Sequence, residues 1–247
     1  MSTETQSLRL AMWSGPRNIS TAMMRAWENR ADTAVWDEPL YAHYLAHTGI
    51  DHPGREKIVA AGDPDWRSVI ATLTGPAPHG KAIFYQKHMT HHLLAHIDRS
   101  WLNHVTNCFL IRHPREVLLS YSKTRTQVTA EDVGFPQQAE IFEFVQTHTD
   151  ATPLIIDTAD FLQQPRGFLE LICTRLNMVF SECMLSWPPG PRDSDGVWAE
   201  FWYAAVQAST GFAPYRPRHE PLPPRLEEVA QACMPYYEFL HRYRLKI

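Results

Sequence analysis

The most chemically suggestive stretch of this chain is Ser14-Gly15-Pro16-Arg17-Asn18-Ile19-Ser20-Thr21, which joins an apolar run to the amphipathic segment Ala22–Arg30. If the first is a strand and the second a helix, the helix start presents N–H groups without intrahelical acceptors. The macrodipole adds roughly half a positive charge there. Such a turn favours a phosphate, and Arg17 adds a planar cationic fork. Ser20 and Thr21 can cap the helix or donate to phosphate oxygens. The spacing GxxxxGK[ST] is absent. The lysine and magnesium-binding hydroxyl of common ATP and GTP hydrolases are therefore missing, and group transfer without a metal is the expected chemistry.

A second anion site is written into NCFLIRHPREVLLSYSK, where Arg112 ends an apolar run, Pro114 stands near a helix start and Ser120 lies eight residues beyond Arg112. The plainer reading of Arg112 is an ion pair with Glu116. Two candidates for moving a proton accompany these sites. Glu38, in VWDEPLY, lies just past a short apolar run; its structural alternative is a first-turn carboxylate worth about 1 kcal/mol, a post Asp37 fills equally well. His88 follows Lys87 in QKHMTHH, and Lys87 itself can present an ammonium to a leaving group or lie on the surface. His88, His91 and His92 have a spacing that can gather imidazoles on one helical face, but no cysteine or matching acidic ligand accompanies them, so no metal is expected.

These residues need strands that end beside one another. Five short apolar runs are predicted strands: Leu8 to Trp13, Thr33 to Asp37, Lys81 to Lys87, Asn107 to Arg112 and Pro153 to Asp157. Helices are predicted over Ser20 to Arg30, Arg115 to Lys123, Gln137 to His148, Arg166 to Leu176, Gly196 to Ala208 and Leu226 to Leu240. Proline and glycine mark loops at Asp51 to Pro64, Gly75 to Gly80, Trp187 to Pro191 and Pro214 to Pro224, with no repeat and no linker. Alternating strands and helices give an α/β fold with a mostly parallel sheet of about five strands, with function gathered where the strands end.

The 247 residues suit a single domain over 1–247, and 23 Lys and Arg against 27 Asp and Glu leave a net charge of -4. That balance argues against a nucleic-acid or anionic-membrane partner and requires any anion site to be built locally. The cysteines Cys108, Cys173, Cys183 and Cys233 are widely spaced, which suits a reducing cytoplasm. Neither a signal sequence nor an apolar membrane span is read. The aromatic end PYYEFLHRYRLKI can pack on its own core or on a second subunit of a homo-oligomer.

RHPREVLLS resembles the 3′-phosphate motif of the sulfotransferases that use 3′-phosphoadenosine 5′-phosphosulfate, in which a strand-end arginine and a serine eight residues on hold that phosphate. GPRNIST is similar to the family's 5′-phosphosulfate loop, with Pro16-Arg17 where the family has proline and a basic residue. VWDEPLY and DGVWAEFWYAAVQASTGF resemble bacterial sulfotransferase-like proteins and the matching domain of plant branched-chain aminotransferase-like proteins. The resemblance runs from Leu8 to Phe212, and the pyridoxal chemistry in that plant name does not follow from it.

It implies a P-loop three-layer α/β/α fold, with Gly15, Pro16, Arg17, Asn18, Ile19, Ser20, Thr21, Arg112 and Ser120 holding the nucleotide co-substrate. The chain departs from the better-known cytosolic members in having Ile19 for a glycine, and in offering only Arg192, Asp195 and Gly196-Val197-Trp198 for their RKGxxGxW clamp. Arg17 is the expected stabiliser of the departing phosphate and Lys87 a second one. His88 resembles the family's catalytic histidine, whereas Glu38 looks like the carboxylate base of a trehalose-type bacterial branch; Glu38 is preferred slightly. Trp198 and Trp202, four apart, can cover the nucleotide or fill core. The implied activity is sulfonate transfer to a hydroxyl or amine of a small acceptor. An ATP-dependent phosphotransferase and a non-catalytic nucleotide-binding protein are the alternatives.

Overall fold

A computed structural model describes residues 7–121, 128–149 and 152–247. Its centre is one five-stranded sheet of β1 (Leu8–Ser14), β2 (Thr33–Asp37), β3 (Ile83–Met89), β4 (Thr106–Ile111) and β5 (Leu154–Asp157), in the order β2-β3-β1-β4-β5. Every neighbouring pair is parallel. All five strands therefore end on the same edge. After β1 the chain turns first to the β2–β3 side and then to the β4–β5 side, so the end of β1 is the switch point where α/β sheets open a crevice.

The strands are apolar on both sides because helices cover both faces. Leu10, Met12, Tyr85, Cys108, Leu110 and Ile156 face a core shared with α1 (Ser20–Glu28). Ala11, Trp13, Phe109, Ile111 and Ile155 face the other core, under α4 (Trp66–Leu73), α5 (Pro114–Tyr121), α6 (Phe135–His148) and α11 (Pro224–His241). The first face also receives α8 (Pro165–Arg175), which follows the short α7 (Thr158–Gln163). Trp13 and Trp27, on opposite faces, are both fully buried.

Three differences from the predicted elements have physical causes. β3 runs two residues further than expected, because Gln86, Lys87 and His88 are buried and hydrogen-bonded within the fold instead of ending the strand in solvent. The predicted helix at Gly196 to Ala208 is two short ones, α9 (Ala199–Trp202) and α10 (Ala204–Gln207), broken at Tyr203, whose side chain turns into the interior. Helices α2 (Tyr41–Thr48) and α3 (Arg55–Ala61) were not foreseen, nor were α4 and α7; α3 buries only Ile58, too little to leave an apolar period. The C-terminal stretch packs on its own core through Cys233, Tyr237 and Leu240. Ser122 and Lys123, at the end of the predicted helix after Arg115, lie outside the described residues. Among the described residues no helix is long and apolar enough to cross a membrane.

Candidate active site

A cavity of about 350 Å³ opens at the strand ends, lined by Pro16 to Ala22, Glu38, Lys87, Arg112 and Ser120 and bounded across the mouth by Trp202 and Tyr203. Arg17 and Glu38 both have positive φ, 57° and 42°. A side chain in this region costs about 1–3 kcal/mol, and such strain concentrates at functional positions.

On the β1–β4 side the two segments predicted to hold anions meet. Arg112 Nη1 donates to the carbonyl of Arg17 at 2.8 Å, and Arg17 Nε donates to Ser120 Oγ at 2.9 Å. Arg112 Nε also pairs with Glu116 at 3.0 Å, so the plainer reading of Arg112 is realised as well, and Tyr215 OH donates to the other Glu116 oxygen at 2.7 Å. Only two of the five guanidinium N–H bonds of Arg112 are spent this way. Arg17 pairs with no carboxylate among the described residues. Burial, then the cations Arg112 and Arg218, hold its pKa below the usual arginine value. Arginine stays protonated regardless, so Arg17 keeps its charge beside these cations.

The turn is braced from behind. Asn18 Nδ2 donates to the carbonyl of Leu110 at 3.1 Å, and its Oδ1 accepts from the hydroxyl of Thr158. The N-cap of α1 is Ile19, with no side-chain capping bond. Ser20 and Thr21 are therefore not the caps, and the first-turn amides keep their dipole for a ligand.

On the β2–β3 side the charges are matched and buried. Lys87 Nζ donates to Asp37 Oδ1 at 2.8 Å, Glu38 Oε1 at 2.5 Å and Tyr203 OH at 2.8 Å. Tyr203 OH in turn donates to Asp37 Oδ2 at 2.7 Å and accepts from Trp198 Nε1 at 3.2 Å. Burial alone would favour the neutral amine, yet Asp37, Glu38 and Tyr203 outweigh it and hold the Lys87 ammonium well above the ordinary lysine range. All three of its N–H bonds are spent, so Lys87 is not the mobile donor expected from the sequence. Burial, together with the like charge of Asp37, pushes the Glu38 carboxyl up. Glu38 is not a helix cap, since α2 starts at Tyr41 without one. Its Oε2 accepts no hydrogen bond among the described residues and stands 3.9 Å from His92 Nδ1.

Four sequence candidates are not brought to the cavity. His88 points to the opposite face of the sheet from Lys87, as strand alternation requires. It stacks on Trp13 at 4.3 Å, and burial lowers its pKa to about 3. Arg192 pairs with Glu28 at 3.0 Å, about 12 Å along α1 from Ser20. Trp198 packs edge-on against Tyr41 and positions Tyr203, while Trp202 lines the cavity. Gly15 serves close packing, since a Cβ there would sit 2.5 Å from the carbonyl of Val133.

Sequence reasoning missed His92 and Tyr203. His92 stacks against the rings of both Tyr41 and Tyr44, at 4.5 and 4.7 Å, and its buried Nδ1 has no hydrogen-bond partner among the described residues. Its pKa is held well below the usual histidine value by burial and then by His91, so it is neutral. The pair His91-His92 was visible in the sequence only as a metal pattern, and Tyr203 only as one aromatic among many.

Residues 8–243 match the family described as Sulfotransferase domain. Branched-chain-amino-acid aminotransferase-like proteins 2 and 1 of Arabidopsis thaliana are each 30% identical, over 92% and 94% of this chain. The chain spans only about two fifths of their length, 40% and 41%. Among solved structures, a sulfotransferase from Alicyclobacillus acidocaldarius superposes with a TM-score of 0.60 at 10% identity, covering 97% of both chains. The sulfotransferase domain from the curacin biosynthetic pathway gives 0.53 at 14% identity, covering 92% of this chain and 98% of that one. At these identities the structures establish the shared α/β fold.

Proposed function

The chain belongs to the sulfotransferase-domain family, and from that premise we propose that it transfers a sulfonate from 3′-phosphoadenosine 5′-phosphosulfate to a hydroxyl of a small acceptor. The observation that carries this reading is the contact between Arg17 and Arg112, 95 residues apart in sequence, at 2.8 Å. Two anion sites built from separate segments meet at one cavity wall, as a nucleotide with two phosphate positions requires.

In this reading the start of α1 and Arg17 hold the 5′-phosphosulfate, and Arg112 and Ser120 hold the 3′-phosphate. The acceptor hydroxyl lies between Glu38 Oε2 and His92 Nδ1, supplying both with the partner they lack. Its oxygen attacks sulfur in line with the bridging oxygen, and the new S–O bond forms as the S–O bond to phosphate breaks. The electron pair leaves on adenosine 3′,5′-bisphosphate, whose charge Arg17 stabilises, and the proton goes to Glu38 Oε2. A raised carboxyl pKa suits that role, because a base works best with a pKa nearer the operating pH.

Thermal shift compares adenosine 3′,5′-bisphosphate with ATP and magnesium. The expected result is a rise in melting temperature with the bisphosphate alone. Arg112→Ala should weaken its binding by about 10–150-fold, the loss of a charged hydrogen-bonding group worth about 1.5–3 kcal/mol. Stabilisation by ATP and magnesium but not by the bisphosphate would replace this reading with a phosphotransferase.

A further inference from the structure

A second cluster of chemistry-bearing residues lies behind the acceptor wall and takes no part in sulfonate transfer. His43 and His47 stand one turn apart on α2, and His96 comes from the segment after β3. One ring nitrogen from each falls within 4.8 Å of the others. His43 is buried, whereas His47 and His96 are exposed, so the cluster has one anchored member and an open side.

Two features separate it from a chance meeting of surface histidines. His43 Nδ1 lies 2.7 Å from the carbonyl of Pro64, which can only accept, so Nδ1 carries the proton and neutral His43 turns the Nε2 lone pair outward. A backbone carbonyl that fixes the tautomer in this way is the usual support of a metal-binding imidazole. The outward Nε2 meets Nε2 of His96 at 2.9 Å. Two imidazole nitrogens on one tetrahedral ion stand about 3.3 Å apart for bonds of about 2.0–2.1 Å, so little movement is needed. The segment bearing His96 is pinned on both sides by Leu93 and Ile97, each almost fully buried. Its ring lies 4.2 Å from that of His47.

We propose that His43, His47 and His96 form a binding site for a borderline divalent transition-metal ion such as zinc, with a solvent-facing fourth position. The ion replaces the proton shared between His43 and His96, and that proton moves to Nδ1 of His96 or to solvent. Bound there, it clips α2, which carries Tyr41 and Tyr44, to the segment that follows His91 and His92. The site stands independently of the sulfonate-transfer reading. The histidines singled out from the sequence, His88, His91 and His92, form no three-ligand cluster among the described residues.

The test uses the untagged full chain, stripped with a chelator and titrated with Co²⁺ and Zn²⁺. Saturation at one equivalent is expected, with visible Co²⁺ absorption bands. His47→Gln and His96→Gln should each weaken binding by more than the roughly 10–100-fold that loss of an outer-shell partner costs, and the exposed control His104→Gln should leave it unchanged. X-ray absorption of the zinc-loaded wild type gives a readout that needs no variant. Imidazole nitrogens at about 2.0–2.1 Å support the site, whereas a sulfur shell at about 2.3 Å overturns it. So does failure to saturate at one equivalent, or a loss below tenfold in the His47→Gln/His96→Gln double variant.

Discussion

At the ends of β1 and β4, Arg17 feels the positive charges of Arg112 and Arg218, and only Arg112 of the three pairs with Glu116, whereas at the ends of β2 and β3 the ammonium of Lys87 is held by both Asp37 and Glu38. The first half of the cavity holds surplus positive charge beside a helix start, which in the proposed reading a bound phosphate balances. The second half pairs its lysine inside the protein at the expense of desolvating three charged groups. Its surplus is a carboxylate, because two acids share one lysine. In the proposed reading, the group left over on each side is the one that acts: an arginine toward phosphate, a glutamate toward a proton.

The comparison predicts different failures for the two halves. Glu38→Gln should lower kcat by about 10²–10⁴ while leaving bisphosphate affinity within a factor of a few, as steady-state rates and equilibrium binding will reveal. In the wild type, kcat/KM should climb as Glu38 loses its proton, with a midpoint above the ordinary carboxyl value of 4.5. The variant's residual rate should lack that limb; an unchanged pH profile would remove Glu38 from the proton's path.

Lys87→Met should act on the fold first. It strands Asp37 and Glu38 in the interior and should cost about 3–5 kcal/mol in denaturant unfolding. A loss below about 1 kcal/mol would mean the cluster is less desolvated than its complete burial implies.

His88 separates structure from chemistry by pH. Its folded pKa of about 3 lies below the ordinary histidine value of 6.5, so the unfolded chain binds the extra proton between these values. Stability is complete above 6.5 and falls by up to about 1.4 kcal/mol per pH unit as pH drops toward the folded value. His88→Asn should flatten that slope relative to wild type while retaining transferase activity; loss of turnover with intact folding would restore it as a base.

The smallest effect is expected at Ser120. Ser120→Ala removes one neutral partner of Arg17 and should weaken bisphosphate binding by about 2–10-fold, the worth of an ordinary hydrogen bond. Calorimetry with Arg112→Ala alongside would rank the two contributions.

The strands and the turn at Gly15 to Thr21 were legible in the sequence because each depends on neighbours within a few residues, whereas Ser120, expected to act with Arg112, bonds Arg17 instead. Apolar period and turn chemistry are local properties. The same locality hid α3, whose single buried residue leaves no pattern.

What the sequence determined by itself was the order of elements and the position of the two segments, around Arg17 and Arg112, that we propose hold phosphate. Only the tertiary structure decided that those segments share one wall, that Lys87 is locked while its neighbour His88 faces the other layer, and that Arg192 braces the far end of α1. Sheet order and strand register set these outcomes: parallel pairing brings distant strand ends together, and alternation along β3 sends adjacent side chains to opposite cores. No spacing in the chain records which carboxylates will meet a buried lysine, because that meeting is made by β2, β3 and the break at Tyr203, elements far apart in sequence.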